Sequence, residues 1–224
     1  MPKRKYGFRI FDIHSNHYKV SSSSEGRAYR ERINSTSRYA RIKASGLLDV
    51  TYTIAMPNTK TLILSNLQIQ QRIDRIAYQV YENNYQEKEI VIAGIASNGY
   101  LLAQRIASKI SDISPIKTKL AEIKINKKNP LSEKVQVSLS ETELKDKVIV
   151  VVDDVLESGR TMMYGIDPFL RYSVKRLITV VLVDRDHHSF PVRADFVGIS
   201  LATTMQEHIS VELNGGKKDA VYLL

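Results

Sequence analysis

The sequence has no cysteine among its 224 residues. That excludes disulfides and thiolate zinc sites, and it fits a reducing compartment. It has no apolar run near the roughly 20 residues that cross a bilayer, and residues 1–20 lack the apolar stretch of a secretory signal. The expectation is therefore a soluble, cytoplasmic chain with no membrane span. Internal repeats are also lacking, as is any sign of a second folded domain. At 43% hydrophobic and 25% charged residues, the composition excludes a wholly disordered, collagen-like or membrane-spanning protein.

Acidic residues are in short supply: 24 Asp and Glu face 33 Lys and Arg, a net charge of +9. That excess invites a nucleic-acid reading, but it is concentrated in one place. Residues 1–55 hold eleven Lys and Arg against four acids, a net +7, which leaves +2 for the rest. This leader is Ser-rich, with Ser21 to Ser24 consecutive, and carries no sustained apolar period, so it is expected to be mostly disordered. Three readings of it stay open. It is a basic arm for nucleic acid, an organellar transit peptide rich in Arg and Ser, or a stretch upstream of a true start at Met56. His14 and His17 have a metal-ligand spacing but no third ligand, and are read as bystanders.

From Met56 the pattern becomes regular. Residues 61–64 form a short apolar run, followed by Ser65 or Asn66 as a helix cap. Ile69, Ile73, Ile76, Ala77, Val80 and Tyr81 then recur at helical spacing. Residues 89–95 are apolar at nearly every position, which predicts a strand covered on both faces. Ser97, Asn98 and Gly99 turn the chain into a second helix with Leu102, Ala103, Ile106, Ile110 and Ile113 inward. Residues 120–125 and 135–139 read as two arms of an antiparallel excursion joined by a basic loop. Residues 148–152 and 177–183 are further buried strands, and 209–213 with 220–224 suggest a closing hairpin around Asn214, Gly215 and Gly216. Strands alternating with helices predict an α/β fold with a mostly parallel sheet, whose ligands sit at the carboxyl ends of the strands.

The informative stretch is Val150-Val151-Val152-Asp153-Asp154-Val155-Leu156-Glu157-Ser158-Gly159-Arg160-Thr161. Two adjacent carboxylates at the exit of a wholly apolar strand are expensive to bury, so they are expected to face a cleft. There they accept hydrogen bonds from sugar hydroxyls and help hold Mg²⁺. The Ser158-Gly159-Arg160-Thr161 loop opens the next helix, where backbone N–H groups, two hydroxyls and the positive helix end suit a phosphate monoester. Acids followed at once by a phosphate nest suit a ribose 5-phosphate. An Asx turn capping an ordinary helix would not call for two acids after such a strand.

This pattern resembles the phosphoribosyl-pyrophosphate (PRPP) signature of the type I phosphoribosyltransferases. Leu182-Val183-Asp184-Arg185, His187 and the run from Pro191 to Gly198 narrow the likeness to the PyrR family. Those proteins attenuate pyrimidine operons by binding messenger RNA and also have uracil phosphoribosyltransferase activity. The resemblance implies a 56–224 domain of the type I phosphoribosyltransferase fold, with a flexible antiparallel arm and a C-terminal hairpin. It also implies that Asp153 and Asp154 bind the ribose and stabilise its developing positive charge. Val155, Leu156, Glu157, Ser158, Gly159, Arg160 and Thr161 would hold the 5-phosphate, and Ser97, Asn98 and Gly99 would form the pyrophosphate loop. Asp184 and Arg185 would lie near the base. The implied ligands are PRPP, a nucleobase and Mg²⁺, and the implied assembly is a homo-oligomer, either dimer or tetramer.

Three departures bear on activity. Where the family's pyrophosphate loop reads Thr-Arg-Gly, this chain has Ser97-Asn98-Gly99, a neutral amide in place of a guanidinium. The arm lacks the family's Arg-Asp-Asp and offers Lys124, Lys127 and Lys128 instead, which would close over the pyrophosphate or, by default, form a solvated basic loop. Pro168 falls inside the helix that begins near Thr161 and should kink or end it. The leading expectation is a transferase making UMP from uracil. Its alternatives are a nucleotide-sensing RNA-binding regulator with little catalysis, and a transferase for a purine or another base.

Overall fold

In the computed structural model, the residues described are 9–11, 19–21, 39–44, 50–55 and 60–224 without 128, 187, 203–206 and 215–217. The chain divides into two units, Met1–Thr59 and Lys60–Leu224. In the first, β1 (Arg9–Phe11) pairs antiparallel with β2 (Lys19–Ser21), and β3 (Tyr39–Ala44) with β4 (Val50–Ala55). The patterning of the leader had suggested no element there. His14 and His17 lie outside the described residues.

The second unit opens with β5 (Thr61–Leu64) and α1 (Asn66–Asn84). Ser65 and Gln68 cap α1 reciprocally, each side chain meeting the other's backbone N–H, which satisfies two donors of the open first turn. The predicted stripe of Ile69, Ile73, Ile76, Ala77 and Val80 is buried. Next come β6 (Glu89–Ile95), α2 (Asn98–Ile113), β7 (Lys117–Lys124), β8 (Gln136–Val137) and the short α3 (Glu141–Leu144). The chain continues through β9 (Val148–Leu156), α4 (Arg160–Leu170), β10 (Arg176–Asp184), β11 (Phe196–Ser200), β12 (Ile209–Glu212) and β13 (Ala220–Leu223).

The main sheet has the order β11-β10-β9-β6-β7-β8 and is parallel except for β8. Side chains alternate between its faces. Ile90, Ile92, Val150, Val152, Val180 and Leu182 pack in one core with α1 and α2, whereas Val91, Ala93, Ile149, Val151 and Val181 pack in the other with Met162 and Phe169 of α4. Cover on both faces is why these strands are apolar throughout. The two predicted arms do pair antiparallel, β8 returning on the end of β7 at Ile123↔Val137 and Lys124↔Gln136. The first arm is longer than expected: β7 is also a strand of the main sheet, paired in parallel with β6 from Glu89↔Lys117 to Ile95↔Ile123. Pro168 lies inside the last turn of α4, which runs on to Leu170.

A second, antiparallel sheet, β12-β13-β5, forms a hood with β13 in its middle. Asp219 fastens the hood's hairpin: this buried carboxylate pairs with Arg105 of α2 at 2.6 Å and accepts the Asn214 N–H at 2.7 Å.

Candidate active site

β9 runs on past its valines to Leu156, so Asp153 and Asp154 are strand residues at its carboxyl end. Asp153 is 2% exposed. Its Oδ1 accepts the Asp154 N–H at 3.0 Å and the Lys127 ammonium at 2.9 Å, and the same Nζ lies 3.3 Å from Asp154 Oδ1. Burial pushes the Asp153 carboxyl up to about 7, against the pull of Lys127 and with the Asp154 charge adding to the rise. Burial acts on Asp154 in the same sense, but Lys127, Asp153 and Asn98 together outweigh it and hold that carboxyl below its ordinary value. Lys127 is likewise desolvated, yet the two carboxylates keep its ammonium above the usual range. The acid pair therefore shares one cation.

The loop between β6 and α2 closes on the same pair. Asn98 Nδ2 donates to Asp154 Oδ2 and to the Val211 carbonyl of β12, both at 2.9 Å. One amide thus ties α2, β9 and the hood together. Gly99 backs directly onto β9: a Cβ there would lie 2.8 Å from Val152 O and 3.0 Å from both Asp153 Cα and Oδ1. Ser97 precedes α2 and makes no side-chain cap.

Beyond the acids the chain turns through Val155, Leu156, Glu157 and Ser158 to Gly159, whose φ of 81° is left-handed and favours glycine. Ser158 Oγ accepts the Arg160 N–H at 3.3 Å, and Ser158 O accepts the N–H groups of Ser189 and Phe190, both at 3.0 Å. α4 starts at once at Arg160, aiming its first-turn N–H groups and its positive end at the loop. A cavity of about 410 Å³ is lined by Lys127, Asp153, Asp154, residues 155–162 and Ile209 of the hood. Carboxylates at one end and a helix N-terminus at the other let one cavity take a ligand that offers hydroxyls or a cation to the first and an anion to the second.

Arg185, 5% exposed, projects from the end of β10 and pairs with Glu157, and its backbone N–H donates to Leu156 O at 2.9 Å. His208 Nδ1 lies 3.8 Å from the same Glu157 carboxylate. Asp184 sits 2.8 Å from His188 Nε2. Of the described arm lysines, Lys127 lines the cavity and Lys124 does not. Lys124 ends β7, largely exposed, 3.7 Å from Glu122, and Lys128 and His187 lie outside the described residues. Sequence reasoning did not find Ile209, Val211 or the link between Glu157 and Arg185. No local pattern announces contacts between residues so far apart in the chain.

Among the described residues no three His, Cys, Asp or Glu side chains cluster to hold a metal ion. The acid pair fits Mg²⁺ of the kind that keeps its waters and binds through one or two carboxylates plus substrate phosphates. Its oxygens already face a cation, the Lys127 ammonium.

A family model described as the phosphoribosyl transferase domain matches residues 61–214. The chain is 36% identical over 171 residues to the Bifunctional protein PyrR of Fusobacterium nucleatum, covering 72% of this chain and 97% of that protein. The protein of the same name from Macrococcus caseolyticus is 34% identical over 161 residues, or 69% and 92% of the two chains. Among solved structures, the hypoxanthine phosphoribosyltransferase of Trypanosoma cruzi superposes with a TM-score of 0.57 at 15% identity, over 72% of this chain and 95% of that one. A hypoxanthine-guanine phosphoribosyltransferase from Bacillus anthracis gives 0.54 at 20% identity, over 63% and 82%.

Proposed function

The chain belongs to the phosphoribosyltransferase family, with the type I fold and a PyrR-like sequence, and from that membership we propose that it transfers a ribose 5-phosphate from PRPP to a free base, making UMP from uracil. The observation that carries this reading is the single cavity with the acid pair at one end and the loop opening α4 at the other. Residues 155–161 bind the 5-phosphate through backbone N–H groups and the Ser158 and Thr161 hydroxyls. Asp153 and Asp154 accept hydrogen bonds from the ribose hydroxyls. As the bond from C1′ to pyrophosphate breaks and the bond to the base nitrogen forms, positive charge grows on the sugar, and the two carboxylates stabilise it. Their fixed positions make the contribution one of preorganisation and orientation. Asp153 or Asp154, together with PRPP oxygens, would hold Mg²⁺, which would supply positive charge against the departing pyrophosphate. Lys127 faces that end of the cavity from the arm, and Asp184 and Arg185 lie toward the base.

The experiment is to incubate the protein with PRPP, Mg²⁺ and a panel of pyrimidine and purine bases and follow pyrophosphate release. Asp153→Asn together with Asp154→Asn is expected to remove most turnover while the fold survives. Full activity in that double variant sinks the assignment of the site.

Asn98 favours a second reading, a nucleotide-sensing, RNA-binding regulator with little catalysis. Its amide is committed to Asp154 and Val211, so this loop presents no side-chain cation to a leaving pyrophosphate. That reading expects no pyrophosphate release with any base, and RNA retention on filters that falls steeply with salt.

A further inference from the structure

The Lys127 ammonium stands where a cation belongs on the acid pair, 2.9 Å from Asp153 Oδ1 and 3.3 Å from Asp154 Oδ1. Its own position differs from that of its partners. The Lys127 side chain is 38% exposed and comes from the arm, whereas the Asp153 side chain is 3% exposed on a central strand. The arm carries hydrogen bonds that do not involve the Lys127 ammonium: Asn126 Nδ2 donates to Ser132 Oγ at 3.2 Å, the Asn129 N–H to Asn126 Oδ1 at 3.1 Å, and the Ser132 N–H to Asn129 O at 3.0 Å. Lys127 can therefore leave toward solvent with its turn intact. Asp153 has no such exit, and without a cation it would be a buried carboxylate lacking its counter-charge, which is strongly unfavourable.

From this asymmetry we infer that Lys127 is a displaceable counter-ion. It occupies and positions the acid pair in the free protein, and it yields those oxygens to the hydroxyls and the Mg²⁺ of the incoming substrate. The inference rests on the reading of this cavity as a PRPP site. Displacement is an exchange of one cation for another, so the pair is compensated throughout. The freed ammonium stays on the arm at the mouth of the cavity, where it serves the leaving pyrophosphate in place of the side chain that Asn98 has withdrawn. Lys127 thus opposes substrate binding and assists the chemical step. An ordinary lining residue would assist both.

Those opposite signs make the test. Ribose 5-phosphate with Mg²⁺ is the binding probe, because it meets the acids and the phosphate loop but brings no pyrophosphate that would miss the ammonium. Calorimetric titration of the Lys127→Met variant is expected to give about five- to tenfold tighter binding than the unaltered protein, with half-saturation at lower Mg²⁺. Its kcat with PRPP should fall at least about tenfold. Urea midpoints of the two proteins, and a Lys127→Gln variant carried in parallel, separate this from a folding defect. If the unaltered protein binds the probe and the Met variant binds it equally or more weakly, the lysine is a plain contact and the inference is overturned. If the unaltered protein binds neither ribose 5-phosphate nor PRPP, the transferase reading itself fails and takes the inference with it.

Discussion

An Asp153→Asn substitution is expected to stabilise the fold at neutral and alkaline pH while it removes turnover. The side chain is 3% exposed, and burial moves its carboxyl from the ordinary 3.8 to about 7. Between those two values the unfolded chain has lost the proton that the folded chain still binds. Stability therefore falls as pH rises through this window, by about 1.4 kcal/mol per pH unit. Over the whole window the loss is about 4 kcal/mol. Asparagine carries no such penalty, and the attraction to Lys127 is already contained in the value of about 7, so the gain at about pH 8 is expected to reach about 4 kcal/mol, the upper end of the range seen when buried ion pairs are replaced. Below about pH 4 the two proteins should be equally stable, since aspartate is then protonated in both states. Urea unfolding of both proteins at several pH values between those limits measures the difference directly. A variant whose stability keeps the same downward slope with pH, or which is the weaker protein at pH 8, would refute the claim that burial dominates at Asp153.

Two further outcomes follow from local geometry. Gly99→Ala pushes a methyl group to 2.8 Å from Val152 O and 3.0 Å from Asp153 Cα, backbone atoms that cannot step aside. The expected cost is about 1–3 kcal/mol in a urea melt, with turnover down by about a hundredfold because the acid pair moves with β9; an unchanged midpoint would show that α2 has room there. Glu143 accepts from Lys119 Nζ at 2.7 Å and from the Ser140 N–H at 2.8 Å, contacts that hold its carboxyl down at about 2. Its stabilisation is present above the ordinary carboxylate range and is lost as pH falls through about 2, so Glu143→Gln should flatten the acid limb of the stability profile and leave the alkaline limb unaltered.

The legible parts of the fold were those whose pattern is local. The α1 stripe follows the helical period, and β6, β9 and β10 are continuous apolar runs because helices cover both faces of the sheet. The antiparallel return of β8 on β7 was legible, but the place of β7 in the main sheet was not, because it lies next to the sheet's edge, flanked by a β8 of two residues, and only Ala121 and Ile123 along it are fully buried. Loose alternation of that kind reads the same in an isolated hairpin. At the site, Asp153, Asp154 and the 155–161 loop stood out since two charges after an apolar strand demand a reason. The arrangement around them did not. Asn98 meets Val211 across 113 residues, and Glu157 meets Arg185 across 28, separations at which sequence carries no geometric signal. Lys127 was one of three arm lysines, and nothing in its neighbours distinguished it from Lys124.

The position of β13 has a consequence for how this protein comes into being. The hood's middle strand follows β12 in the chain, and it joins β5, the first strand of its unit, to β12. A chain emerging from the ribosome can assemble β6, β9 and the 155–161 loop early, as neighbours become available. It cannot seat β12 firmly until β13 follows, so Ile209 and the Val211 carbonyl take their places only once residues 220–223 have emerged. Nascent chains that stall before residue 220 would carry the acid pair without its cover, and ligand binding then becomes a property of chains that have reached β13.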